Sequence, residues 1–100
     1  MKILLVCCAG MSTSMLVLKM EAAAKKRDIE AEIKALPVLD ALKCIKEYDI
    51  IMLGPQVRNE LKKIEKVAEG QPPVVLIDMR DYGLMNGEKV LDFALKTING

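Results

Sequence analysis

One hundred residues, 52% hydrophobic and 3% aromatic, provide for one domain with an aliphatic core, and exclude both a second domain and intrinsic disorder. Fifteen basic residues against fourteen acidic leave a net charge of +1; with no Trp, two Tyr and one Phe there is neither a basic field nor a stacking platform for nucleic acid. The chain has no His, which excludes a Ser-His-Asp triad and a Cys-His pair within it, and Cys7, Cys8 and Cys44 have no Cys-x-x-Cys spacing for a metal. An odd cysteine count with two adjacent thiols is no secreted disulfide framework, so a reduced, cytoplasmic setting is expected. The uncharged run from Ile3 to Leu18 is short for a membrane span. Gly10 and Ser12-Thr13-Ser14 interrupt it, and Val6 before Cys7 is too large for a lipoprotein signal, so no targeting role is assigned to it.

In chain order, Lys2 to Val6 is a short apolar run, predicted as a strand buried on both faces. Met11, Met15, Leu18 and Ala22 recur at helical spacing and predict the buried stripe of a first helix, which ends in Lys25-Lys26-Arg27-Asp28. Ile29 to Leu36 alternates apolar and charged residues, as in a half-buried strand near a sheet edge. Pro37 opens a short helical face of Val38, Leu42 and Ile45, with Cys44 placed inside that helix as core filling. Asp49 to Leu53 is a second fully apolar strand, stopped by Gly54-Pro55. Val57, Leu61, Ile64 and Ala68 form the next helical stripe, Gly70 is its stop, and Arg58, Lys62, Lys63 and Lys66 form its solvated side. Pro72-Pro73 leads into the apolar run Val74 to Ile77; Asp78 to Gly87 reads as a loop; Leu91, Ala94, Leu95 and Ile98 mark a last helix.

Strands alternating with helices imply an α/β domain with a four-stranded parallel sheet covered on both faces, because each parallel crossover is long and right-handed. A flavodoxin-like order 2-1-3-4 puts the two most apolar strands in the middle and the alternating strand at an edge. Ligands then bind beyond the carboxyl ends of the central strands, where the Cys7, Gly54 and Asp78 loops meet.

The first of these loops carries the chemistry. Cys7 ends a buried strand, and small residues and hydroxyls follow it through Cys8, Ala9, Gly10, Met11, Ser12, Thr13 and Ser14. Backbone N–H groups there can converge on an anion, reinforced by the positive end of the helix, and the hydroxyls can cap the helix or donate to phosphate. A thiol in such a place is expected to be partly ionised at neutral pH, since helix N-termini lower cysteine pKa values. Two readings fit the spacing: a thiolate that takes a phosphoryl group, or a buried cysteine followed by a helix cap. The loop is no Walker motif, and it lacks an Arg six positions after the cysteine, where Thr13 stands. Without that guanidinium, hydrolysis loses its charge clamp; a loop that holds phosphate and hydrolyses it poorly suits a carrier.

The run VCCAGMSTSMLVLKM resembles the active-site loop of the IIB component of the lactose/cellobiose/diacetylchitobiose family of the sugar phosphotransferase system, and its cellobiose/diacetylchitobiose branch more than the glycine-richer lactose branch. Leu53-Gly54-Pro55-Gln56, Ile77-Asp78, Tyr82-Gly83 and Gly87 extend the resemblance over essentially the whole chain, residues 1–100 as one IIB domain. The resemblance implies a doubly wound fold similar to low-molecular-weight tyrosine phosphatase. It implies that Cys7 accepts phosphate from a phosphohistidine of a IIA protein and passes it to a sugar held by the membrane component IIC during uptake. The sugar would be a β-linked disaccharide such as cellobiose or diacetylchitobiose. No cofactor or metal is implied, and the carrier is expected to be a cytoplasmic monomer that meets the inner face of the membrane through IIC. The phosphate-binding residues would be Cys8, Ala9, Gly10, Met11, Ser12, Thr13 and Ser14.

Where the family has Ser or Ala after the nucleophile, this chain has Cys8, read as a small filler pointing aside. Gln56, Asp78 and Tyr82 are placed on the partner rim, with Met11 and Met85 beside it, although Tyr82 and Met85 also suit core cover, and Asp78 also suits a role accepting backbone N–H bonds. Two alternatives stand beside the carrier: a cysteine-dependent phosphatase, against which the missing Arg counts, and a thiol redox switch using Cys7 and Cys8.

Overall fold

The computed structural model of the chain describes residues 1–8 and 11–99, and the side chains of these apart from Met11 and Ser12. Four strands, β1 (Lys2–Cys7), β2 (Glu32–Pro37), β3 (Ile50–Leu53) and β4 (Val74–Leu76), form one parallel sheet in the order β2-β1-β3-β4. The register pairs Ile3 with Ile33 and Ile50, and Ile51 with Val74. The order is the expected one, and it follows from composition. KILLVC and IIML have no polar face to offer water, so β1 and β3 take the centre, while EIKALP keeps Glu32 and Lys34 exposed at an edge.

Among the described residues five helices cover the sheet: α1 (Met11–Lys26), α2 (Val38–Leu42), α3 (Leu61–Ala68), α4 (Met79–Gly83) and α5 (Gly87–Asn99). The period-2 alternation of the strands divides the core in two. Ile3, Leu5, Ile50 and Met52 meet Leu16 and Met20 of α1 and Val90, Leu91 and Ala94 of α5. Leu4, Val6, Ile51 and Leu53 meet Ala41, Val57, Ile64 and Ala68 on the other face. An ion pair between Arg27 and Asp92 ties the end of α1 to α5, and the hydrogen bond from Arg27 holds the Asp92 carboxyl below its ordinary pKa.

Several boundaries depart from the sequence reading. The first helix buries a different stripe: Thr13, Leu16, Met20, Ala23 and Ala24 face inward, while Met15 and Leu18 are 51% and 61% exposed and Ala22 is also exposed. No charge occurs between Met11 and Leu18, so hydropathy marks no outer face there, and close packing decides the phase. The edge strand starts at Glu32 rather than Ile29. Cys44 lies outside α2, in a turn before a 3₁₀ segment at Ile45–Glu47, half-buried with its thiol 3.6 Å from the Asp40 carbonyl. Another 3₁₀ segment, Pro55–Glu60, precedes α3, and the left-handed residue that ends α3 is Glu69, followed by Gly70 at φ +86°. β4 stops at Leu76, itself 37% exposed, because it is the outer strand. The stretch read as a loop from Asp78 to Gly87 contains α4.

Candidate functional site

Cys7 is the last residue of β1, opposite Pro37 of β2. It is 6% exposed, and its thiol points to the Leu36 carbonyl at 3.8 Å. The neighbouring strands end at the same level. Gly54 N–H donates to the Val6 carbonyl at 3.0 Å, and Ile77 N–H donates to the Leu53 carbonyl at 2.8 Å. The parallel topology therefore brings Cys7, the Gly54-Pro55-Gln56 turn and Asp78 to one end of the sheet. α1 starts at that end as well. As in any α-helix, the N–H groups of its first turn, those of residues 11 to 13, have no acceptor within the helix and form the positive end of its dipole.

The loop residues divide by environment. Cys8 is exposed, and Cys7 and Cys8 thus face opposite surroundings. Ala9, Gly10 and the side chains of Met11 and Ser12 lie outside the described residues. Ser14 is exposed. Thr13 is 1% exposed, and its hydroxyl lies 2.9 Å from that of Tyr82, so it is engaged inside the protein.

The three rim positions also differ from one another. Gln56 is exposed on the 3₁₀ segment. Asp78 is exposed and caps α4, its Oδ1 accepting from the N–H groups of Arg80 at 2.8 Å and Asp81 at 3.2 Å. That is the backbone-accepting role the sequence suggested for it. Tyr82 is only 6% exposed; its ring belongs to the core shared with Leu16 and Met20, and it forms the floor of a groove with Gln56 and Met79 rather than a rim. Burial wins because α4 turns that side of the segment inward, which a loop reading does not capture. Met85 is half-buried against the same core.

Sequence reasoning missed the exposed apolar residues around this end. Leu39, Met79 and Leu84 are 70%, 65% and 70% exposed. Leu39 and Met79 follow closely on the last residues of β2 and β4, and only the topology places them beside Cys7. Among the described residues no cluster of Cys, Asp or Glu could hold a metal ion, and no helix is long and apolar enough to cross a membrane.

Comparison with known proteins bears on what this end of the sheet does. The family described as "PTS system, Lactose/Cellobiose specific IIB subunit" matches residues 2–93. The cellobiose-specific EIIB component of Lactococcus lactis subsp. lactis (strain IL1403) is 40% identical over 97% of this chain and 95% of its own. The galactose-specific EIIB component of Lactococcus lactis subsp. cremoris (strain MG1363) is equally similar over the same shares, and the oligo-beta-mannoside-specific EIIB component of Bacillus subtilis (strain 168) is 39% identical over 94% and 92%. Among solved structures, the cellobiose-specific IIB component of Borrelia burgdorferi superposes with a TM-score of 0.82 at 43% identity over 99% of this chain and 92% of that one. The lactose-specific IIB domain of Streptococcus pneumoniae superposes at 0.87 with 21% identity, over 97% and 96%, and shares the fold. The match over nearly the whole chain makes it a member of the lactose/cellobiose-specific IIB family of the sugar phosphotransferase system, whose components transfer phosphoryl groups during sugar uptake.

Proposed function

We propose that Cys7 is the phosphorylated residue: it takes the phosphoryl group from a phosphohistidine of a IIA partner and delivers it to a sugar held by a membrane IIC partner. The observation that carries this reading is the position of Cys7 at the end of a central strand, separated only by residues 8–10 from the first turn of α1. The chain has no His of its own, so a histidine donor belongs to another protein. In the first step the Cys7 sulfur attacks phosphorus in line; the S–P bond forms as the N–P bond breaks, and the proton of the thiol ends on the departing imidazole. In the second, a sugar hydroxyl attacks, the S–P bond breaks, the sulfur leaves as thiolate, and the hydroxyl proton goes to solvent or a base on IIC. Backbone N–H groups of residues 8 to 14 hold the phosphoryl oxygens, with no Lys or Arg between Cys7 and Leu18 to favour hydrolysis.

The sugar is read as a β-linked disaccharide such as cellobiose or diacetylchitobiose; the cellobiose-specific relative supports this, while the equally similar galactose-specific relative points to a different sugar. The chain acts as a cytoplasmic monomer that meets the membrane through IIC. Neither alternative draws support from the geometry: a phosphatase lacks its loop Arg, and a Cys7–Cys8 switch needs two thiols that here face opposite surroundings.

The test is intact-mass measurement after mixing with phosphorylated IIA. The wild type gains one phosphoryl group, Cys7→Ser gains none and keeps its fold, and Cys44→Ser gains one. Loss of the phosphoryl group in Cys8→Ser with retention in Cys7→Ser overturns the assignment.

A further inference from the structure

We infer that Tyr82 is a positioning residue for phosphoryl transfer, acting through Thr13 on the first turn of α1. The inference rests on the reading of Cys7 as the phosphorylated residue. Among the described residues, Thr13 is the one Ser, Thr, Asn, Gln or charged side chain buried in the core. A hydroxyl in that place is costly unless it is hydrogen-bonded, and a Val of the same shape would fill the space without the cost. The hydroxyl is met by that of Tyr82 at 2.9 Å, across 69 positions of sequence.

Tyr82 is itself held from two sides. Its N–H donates to the Asp78 carbonyl at 2.9 Å, within the helix that the Asp78 side chain caps. Its ring lies against Gly54, where an added Cβ would stand 3.3 Å from ring atom Cε2 and 3.0 Å from Gln56 Oε1. One residue of the element that follows β4 thus reaches with its side chain the elements that follow β1 and β3, and these three segments meet at the Cys7 end of the sheet. The hydroxyl pair is a polar tie that sets the opening turn of α1 against the other two. Donors aimed at a phosphoryl group help only when fixed beforehand, and a shift of a few tenths of an ångström weakens them. Tyr82 acts through Thr13 on those donors and is not itself a catalytic residue in this scheme.

The experiment compares rates of phosphoryl transfer from phosphorylated IIA, together with melting midpoints, for Tyr82→Phe, Thr13→Val, Thr13→Ser and the double variant Thr13→Val/Tyr82→Phe. Tyr82→Phe and Thr13→Val are each expected to slow transfer roughly tenfold, the scale set by losing one neutral hydrogen bond's worth of alignment. The double variant removes both hydroxyls of the pair; its melting midpoint is expected no lower than that of the less stable single variant, while transfer stays as slow as in either single variant. Thr13→Ser, which keeps the bond, recovers most of the rate lost in Thr13→Val. Recovery of rate along with stability in the double variant, or a wild-type rate in Tyr82→Phe, shows that the pair only packs and overturns the inference. A Cys7→Ser control run alongside separates the two claims: phosphorylation of that control means the assignment of the nucleophile has failed, whatever Tyr82 does.

Discussion

Asp78 carries a structural load that a rim residue would not. Its carboxylate accepts the N–H groups of Arg80 and Asp81, and the helix it caps has five residues, too few to hold itself in water. Asp78→Ala is expected to cost about 1 kcal/mol and to slow transfer, because Tyr82 depends on α4 for its place. Asp78→Asn, which keeps an acceptor, should restore most of both; an unchanged denaturation midpoint in Asp78→Ala would sink the capping account. Although the helix it caps was read as loop, the backbone-accepting role of Asp78 was legible in the sequence because an Asp directly after an apolar strand is a local signal. The burial of Tyr82 was not, since a tyrosine suits a rim or a core equally until its hydroxyl finds a partner, and that partner is distant in sequence. Thr13 was hidden for the same reason: a threonine in a first turn reads as a cap or a phosphate donor, and only the tertiary contact shows that its hydroxyl is already engaged.

Strands were easier to read than helices because a strand buried on both faces leaves no phase to choose. KILLVC and IIML could only be central. α1 leaves the choice open, because most of its first half is apolar on every side. Its phase follows from backbone approach to α5. A Cβ on Gly87, the first residue of α5, would lie 2.5 Å from the Lys19 carbonyl carbon. That contact is with backbone, so no rotamer change relieves it. Gly87→Ala is therefore expected to force the two helices apart at a cost of about 1–3 kcal/mol, read as a lower urea midpoint with an unchanged slope. Gly83, in α4, has nothing within 4 Å of its Cβ position, and Gly83→Ala is the control that should leave the midpoint nearly unmoved. Equal losses in the two variants would mean that generic glycine effects, rather than the α1–α5 approach, set the cost.

At the scale of the molecule, the parallel sheet gives the two ends different characters. The end where the strands begin is lined by charges of both signs, Lys2 and Lys25 with Glu21, Asp28, Glu30 and Glu32. The other end holds Cys7 among Leu39, Gln56 and Met79, all exposed, on segments that follow β2, β3 and β4. Cys7 is itself only 6% exposed, and on the proposed reading the donor imidazole and the accepting sugar hydroxyl both approach its sulfur from this end of the sheet. In-line transfer leaves no room for a donor and an acceptor on the same sulfur at once. Unphosphorylated IIA in excess should therefore slow transfer from the phosphorylated carrier to sugar on IIC, with an inhibition that more IIC overcomes. Gln56→Ala should slow transfer from IIA while changing the melting midpoint little, because Gln56 is exposed. A crosslink that placed IIA near Lys2 or Pro73, at the end where β1 and β4 begin, would rule this surface out, as would a IIA–carrier–IIC complex in which all three are bound together and transfer proceeds at full rate.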